Sequence, residues 1–508
     1  MNDFIGGTVL LFSDPAGIAI FIFGLVGGLV FGAIPGLSLL TLAAVLLPFS
    51  AWLSAEHAIM LYGVIYVSGV YGGAITAILF NIPGSVENAP TAFDGYPMTL
   101  KGQAGKAIGF AVTCSAIGGT VSAILMMVAT APIAEFAIST FGPVEVFAVI
   151  FFGLTVVSGV GTRSWAKGWL SLLLGLFIGL IGFDPVGAVP RFTMGTLYLS
   201  GGLNFVPLIL GFFAITEVFV QGQRMAAGTH VPPQVSVAYP SLGEFWRLRV
   251  TVIRSTVIGW FCGLLPGIGA TLAAFVSYNE AVRWSKHPER FGKGEPEGVV
   301  APETANNAAT GAAMIPLLAL GLPGGALTAI MIGVFNLHDM DIGPLIMVEA
   351  HDLVWVLFAS MFWASLAILF LGIIEAKGIV HLLRIPFPIL APAILIFSTI
   401  GAYALRGNIL DVYSMFVAGI AGYFMRRGDY SIPAVVMGVI LGQMGENVFS
   451  QAMVMIDYDF LNFFTQPISG VLITGGLATI AYNIFKHSRM YFSTYDRLDQ
   501  TTSRDPED

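Results

Sequence analysis

The chain has 508 residues, of which 56% are apolar and 10% charged, against about a quarter charged in ordinary soluble domains, so its medium is a lipid bilayer. The 61 glycines and 27 prolines stand in an apolar background, which excludes disorder, and no Gly-X-Y period allows collagen. The net charge of −8 with no basic stripe excludes nucleic acid as a partner, and Cys114 and Cys262 lie in apolar stretches that match neither disulfide nor metal spacing.

A membrane-crossing helix needs about 20 apolar residues. In chain order the sequence offers an interrupted region at 15–52, then spans at 55–80, 104–131, 143–160, 166–183 and 203–221. A more polar linker at 226–252 follows. After it come two interrupted regions at 253–279 and 302–335, then spans at 352–375, 386–405, 409–425, 432–450 and 467–485. Residues 486–508 are charged and apolar-poor, and are expected to form a disordered cytoplasmic tail. The interruptions are Pro-Gly pairs: Pro35-Gly36, Pro266-Gly267 and Pro323-Gly324, with Pro83-Gly84 closing the 55–80 span.

Basic residues orient the chain, because Lys and Arg accumulate in cytoplasmic loops. None precedes Lys101; clusters then occur at Lys101 and Lys106, Arg163 and Lys167, Arg224 to Arg254, Arg283 to Lys293, Lys377 and Arg384, and Arg426 and Arg427. With these inside, the N-terminus is periplasmic and the C-terminus cytoplasmic. Region 15–52 then starts and ends outside and region 253–279 starts and ends inside, so each reads as a re-entrant hairpin folded at its Pro-Gly. The loop at 336–352 carries Asp339, Asp341, Glu349 and Asp352 without Lys or Arg, as an outside loop should. Arg191 and Arg406 fall outside in this scheme.

The hairpins resemble one another. Gly28-Leu-Val-Phe-Gly32-Ala-Ile-Pro35-Gly36 matches Gly259-Trp-Phe-Cys-Gly263-Leu-Leu-Pro266-Gly267, and Thr41-Leu-Ala-Ala44 matches Thr271-Leu-Ala-Ala274. Asn81-Ile-Pro83-Gly84 lines up with Gly321-Leu-Pro323-Gly324, and Asp94-Gly-Tyr-Pro97 with Asp341-Ile-Gly-Pro344. The expected fold is an all-α polytopic membrane protein built from two inverted-topology repeats, 1–225 and 253–450, with re-entrant, Pro-Gly-broken hairpins and an additional C-terminal helix at 451–485. Inverted repeats with interrupted helices near the midplane are a recurring plan of secondary transporters.

The breaks point to the chemistry. A Pro-Gly break frees N–H and C=O groups that lipid cannot satisfy, so they must be buried in protein or line a water-filled cavity. A helix restarting after the break turns its positive end to that cavity, where carboxylates bind without a buried Lys or Arg. Ser38, Thr41, Thr271, Ser277, Asn81 and Ser85 surround the breaks. Gly36, Ser38, Asn81, Gly267, Thr271, Asn306 and Asn307 are the candidate substrate-binding residues. Asn306 and Asn307 qualify because amides in an apolar helix are costly unless paired. Pro302 fits a first helical turn, and Glu303 beside it reads either as a capping residue or, with Thr304, as an ion-coupling group. Asp94 and Glu56 read as loop residues, and Glu135, Glu145, Glu217 and Glu446 as interfacial ones. Competing classes lack their motifs: no Gly-x-x-x-x-Gly-Lys-Ser/Thr loop for ATP, and no His-Glu-x-x-His or Gly-x-Ser-x-Gly for an enzyme. An ion or solute channel with re-entrant hairpins is the alternative, though no continuous filter or charged ring is evident.

Together, Gly32-Ala-Ile-Pro-Gly36, Tyr71-Gly72-Gly73, Asn81-Ile-Pro-Gly84, Asp94-Gly-Tyr-Pro-Met98, Leu265-Pro-Gly267, Phe291-Gly-Lys-Gly294 through Asn307, and Gly321-Leu-Pro-Gly324 resemble TctA. TctA is the large transmembrane subunit of the tripartite tricarboxylate transporters, and the likeness runs to about residue 485. It implies a carrier of the bacterial inner membrane, not an enzyme. Such a carrier imports tricarboxylates or related carboxylates by symport down a sodium or proton gradient. No cofactor is implied beyond that coupling ion, with sodium as the possible metal. The implied partners are a small TctB-like membrane subunit and a periplasmic TctC-like binding protein.

Overall fold

The computed structural model describes residues 2–34, 37–157, 164–184, 187, 189–224, 240–265, 269–382 and 387–502. Short polar side chains start α2, α3 and α4 of the first half. After α1 (Asn2–Ser13), Asp14 accepts the N–H groups of Ala16 (3.0 Å) and Gly17 (3.3 Å) to open α2 (Pro15–Ala33), with Pro15 at the first helical position. Ser38 caps α3 (Leu39–Ser50) through the Thr41 N–H at 3.3 Å. Ser54 caps α4 (Ala55–Phe80), which ends at Asn81 in the left-handed region, φ 56°. Then follow α5 (Ala89–Leu100), α6 (Ala104–Thr140), α7 (Pro143–Val157), α8 (Trp165–Gly179) and the short α9 (Leu197–Ser200). The half closes with α10 (Phe205–Ile209), a π-helical turn (Leu210–Ile215) and α11 (Thr216–Arg224).

The second half opens with α12 (Leu242–Leu264), started inside the expected linker by a reciprocal Ser241/Glu244 capping box. It continues through α13 (Gly269–Trp284), α14 (Glu297–Ala312) and α15 (Met314–Leu320), which ends at Gly321, φ 71°. Then come α16 (Ala326–Leu337), α17 (Ile346–Glu349), α18 (His351–Leu382), α19 (Phe387–Ala404), α20 (Ile409–Arg427) and α21 (Ile432–Met455). The short α22 (Asn462–Thr465) precedes α23 (Pro467–Thr502). Among the described residues the β structure is one pairing of Gly182–Phe183 with Pro190–Arg191.

Eight of the described helices are long and apolar enough to cross a membrane, α4, α6, α18 and α21 among them. The chain is therefore an all-α, multi-pass membrane protein. Region 302–335 divides at Ala313, between α14 and α15, and at Pro323-Gly324, between α15 and α16, while α2 and α3, and α12 and α13, flank the two Pro-Gly pairs outside the described residues. Several boundaries differ from the sequence reading, α6 and α23 among them. Helix α6 continues through Pro132 to Thr140, since a membrane helix tolerates a proline where local adjustment re-satisfies the freed backbone groups. Helix α23 runs on through the expected tail to Thr502, since extending a helix already nucleated in an apolar span is far easier than starting one.

Helix α4 is buried along nearly its whole length, between α2, α5 and α18, while α14 is held by α6, α12 and α13. Close approach of these pairs depends on glycine. A side chain on Gly28 of α2 would overlap the Ser68 hydroxyl of α4, and one on Gly32 the Gly69 carbonyl. The sequence-aligned Gly259 and Gly263 of α12 stand in the same way against Ala305 and Ala309 of α14. The breaks repeat too: the Ile82 N–H donates to the Thr76 carbonyl (3.4 Å), and the Leu322 N–H to that of Pro316 (3.0 Å). Gly84 abuts Gly73 as Gly324 abuts Ala313. Segments aligned in sequence thus make matching contacts.

The halves also interlock. Helix α3 packs on α16 and α13 on α5, while α6 lies on α14 as α18 lies on α4. This interlocking, rather than either half alone, builds the buried polar site.

Candidate functional site

Helix α14 carries the densest polar stretch and has almost no exposed surface. It begins at Glu297, after a loop bent by left-handed Gly292 and Gly294. Pro302 is therefore inside the helix and not in its first turn. Glu303 lies too deep to cap the helix, so the capping reading is corrected. Its carboxylate instead collects donors from two other segments and from its own helix: Thr91 Oγ1 (2.5 Å) and Asn88 Nδ2 (3.3 Å) from around the start of α5, Ser115 Oγ (3.1 Å) from α6, and Asn306 Nδ2 (3.3 Å) from α14. A buried carboxylate keeps its place only when its lone pairs are filled in this way.

The network extends on both sides. Asn88 also donates to the Val70 carbonyl (2.9 Å) and accepts from Ser85 Oγ (2.6 Å), which ties the cluster to the break after α4. Asn306 Oδ1 accepts from Asn307 Nδ2 at 3.0 Å. Asn307 Oδ1 is buried and, among the described residues, has no donor. Thr304 turns its hydroxyl back to the Val300 carbonyl (2.7 Å) on the face toward α6. The Tyr66 hydroxyl stands between the start of α13 and the second break, 3.8 and 3.7 Å from where side chains on Gly269 and Gly325 would begin.

The remaining predicted residues fall around this centre. Pro35, Gly36, Pro266 and Gly267 lie outside the described residues. Ser38 caps α3, with its hydroxyl 3.4 Å from that of Thr41. Thr271 is half-buried in the first turn of α13. Asn81 is exposed at the end of α4, Pro83 is half-buried, and Gly84, Pro323 and Gly324 are buried. Asp94 is no loop residue but a fully buried member of α5, and Glu56 belongs to the first turn of α4. An apolar cavity of about 270 Å³, bordered by Phe141, Val146, Leu320, Leu322, Val448 and Gln451, reaches the second break; the Glu303 cluster itself is closed.

Sequence reasoning missed Asn88, Thr91 and Ser115. The first two had a signal, being the polar residues that follow the break Asn81-Ile-Pro83-Gly84. Ser115 had none, because one serine in a small-residue helix looks like packing. Among the described residues no three His, Cys, Asp or Glu side chains converge. A cation here would draw on amide, hydroxyl and carbonyl oxygens and on one carboxylate, a donor set for a hard ion rather than a transition metal.

Residues 18–437 match the tripartite tricarboxylate transporter TctA family model. A protein of Agrobacterium vitis, described as an uncharacterized 52.8 kDa protein in the TAR-I ttuC' 3' region, is 36% identical over 483 residues, covering 94% of this chain and 96% of that protein. A second Agrobacterium vitis protein, described as lying in the TAR-II ttuC' 3' region, is 38% identical over 222 residues, covering 44% of this chain and 92% of its own length. No solved structure matches. The family model and the first relative both span most of the chain. The chain is a multi-pass membrane protein of the tripartite tricarboxylate transporter TctA family.

Proposed function

We propose that this protein imports a tricarboxylate or a related carboxylate across the bacterial inner membrane, driven by an ion gradient through alternating access. The observation that carries the reading is the buried carboxylate of Glu303 with its amides, tied through Asn88 and Ser85 to the break after α4. Substrate is held by Gly36, Ser38, Asn81, Gly267, Thr271, Asn306 and Asn307, with helix-end N–H groups meeting its carboxylates. Glu303 and Thr304 serve the coupling ion, and the free Asn307 oxygen supports an added cation or donor at this point.

In this reading the two halves are inverted repeats, 1–225 and 253–450. The α2–α3 hairpin enters from the periplasm and α12–α13 from the cytoplasm. An odd number of crossings separates them, made by α4, α6, α7, α8 and α10–α11, and this is the parity that inversion requires. The matching contacts of aligned residues support the repeat, and the placement of Lys and Arg supports the orientation. A small TctB-like membrane subunit and a periplasmic TctC-like binding protein complete the transporter, the latter delivering substrate at the outside face.

The test is uptake of a labelled carboxylate panel into vesicles carrying the chain with these two partners, under an imposed sodium or proton gradient. The expected result is uptake of one acid that needs both the binding protein and one of the gradients, which names substrate and ion together. Leakage independent of gradient and binding protein would overturn the carrier reading in favour of a channel.

A further inference from the structure

Asp94 is a buried carboxylate that the proposed transport site does not use, and it joins the two halves. Its Oδ1 accepts the backbone N–H groups of Gly294 and Glu295, both at 2.8 Å, and its Oδ2 accepts the Tyr278 hydroxyl at 2.9 Å. The donors come from α13 and from the strap between α13 and α14. The strap is shaped for the purpose: Gly292 and Gly294 are left-handed, φ 75° and 95°, and turn successive N–H groups onto one oxygen. Gly298, at the start of α14, leaves the space that Asp94 fills, since a Cβ there would overlap the carboxylate. Tyr278 is flanked edge-on by Phe93 of α5 (5.3 Å) and Phe291 of the strap (5.8 Å), and the Lys101 ammonium donates to the Lys293 carbonyl at 2.5 Å.

The same helix holds the ion-coupling candidate. Thr91 and Asp94 are three residues apart, neighbours on one face of α5. Thr91 grips Glu303 while Asp94 grips the strap and Gly298. Helix α5 is thus pinned at two points to the opposite half, one at Glu303 and one at the strap.

We propose that α5 and the strap form a gate at this end of the protein, with Asp94 as its latch. A change at Glu303 reaches the latch through Thr91. The inference rests on alternating access, because only a site that opens alternately needs a barrier that releases. Closed, the latch is held by charge-assisted bonds to donors that water can satisfy once α5 withdraws, which lets two arrangements lie close in energy.

Two arms test it in the full chain, co-expressed with its small membrane subunit and reconstituted in vesicles, in a Cys114→Ala/Cys262→Ala background. In the first, Lys101→Cys and Lys293→Cys, both at exposed positions, are joined by a cleavable bismaleimide. The expected result is at least a tenfold loss of gradient-driven uptake, restored when the linker is cleaved; uptake unchanged by the link would overturn the gate. In the second, Met98→Cys, buried on α5, is labelled by a water-soluble maleimide. Adding Asp94→Ala should speed labelling at least tenfold, and Asp94→Asn less, because its amide oxygen can still accept from Gly294 and Glu295. Equal rates in all three would overturn the latch. Labelling does not depend on transport, so a chain that labels as expected but shows no gradient-driven uptake even unlinked retains the latch and refutes the transport reading instead.

Discussion

Replacing Glu303 separates a binding role from a packing role. In Glu303→Ala all four donors lose their acceptor. Asn88 keeps the Val70 carbonyl, and Ser115 lies 3.4 Å from the backbone carbonyl of residue 303, whereas Thr91 and Asn306 have no other side-chain acceptor among the described residues. Two buried donors left bare cost about 2–6 kcal/mol, at about 1–3 kcal/mol each, and truncating the side chain adds a cavity. Total stabilities are about 5–15 kcal/mol, so Glu303→Ala should melt far lower in detergent or fail to accumulate. Glu303→Gln keeps the size and one acceptor oxygen for Thr91, Asn88 and Asn306, and the Ser115 hydroxyl can turn to accept from the new amide. Its cost is confined to lost charge assistance, about 1–2 kcal/mol. The glutamine variant is therefore the informative one: expressed, melting close to the parent, and at least tenfold slower in gradient-driven uptake. Parental uptake by Glu303→Gln would refute the coupling role. A Glu303→Ala chain as stable as Glu303→Gln would refute the hydrogen-bond reasoning.

Asn307→Ala removes one bond to Asn306 together with a buried acceptor that has no donor, so the melting temperature should move by no more than about 1 kcal/mol equivalent. Uptake in that variant should be abolished, and wild-type uptake would remove Asn307 from the site. Gly259→Ala drives a methyl into the Ala305 carbonyl and to 2.8 Å from the Ala308 methyl. Overpacking of about 1–3 kcal/mol then outweighs the roughly 1 kcal/mol gained in helix propensity. Gly6→Ala, with open space around it, should show the gain alone; melting shifts of opposite sign are expected, and equal shifts would contradict the close α12–α14 approach. Arg406→Ala strips two hydrogen bonds from fully buried Asp411, leaving it the Tyr198 hydroxyl at 2.9 Å. The expected loss is about 2 kcal/mol, read as a lower melting temperature that Arg406→Lys, which cannot bond both oxygens in a fork, restores in part.

Much of the architecture was legible in the chain because its causes are local. Apolar runs mark the helices, and Asp14, Ser38, Ser54 and Ser241 begin them within a turn of their own positions. Asn81 and Gly321 end helices by adopting the left-handed backbone, with a proline two residues on that cannot continue the helix. The duplication of Gly28/Gly32 in Gly259/Gly263 was legible as a repeat, and small residues at that spacing allow the close helix approach seen at both places. The buried centre was another matter. Asn306 and Asn307 could be singled out by composition, but Glu303 was ambiguous and Asp94 was misread as a loop residue. Glu303 finds Asn88, Thr91 and Ser115 at sequence separations of 215, 212 and 188 residues. No helical period or cap reaches so far. Which carboxylate is buried, and which donors fill its lone pairs, was decided when the halves interlocked, because desolvation and the pairing that offsets it exist only once α5, α6 and α14 are packed together.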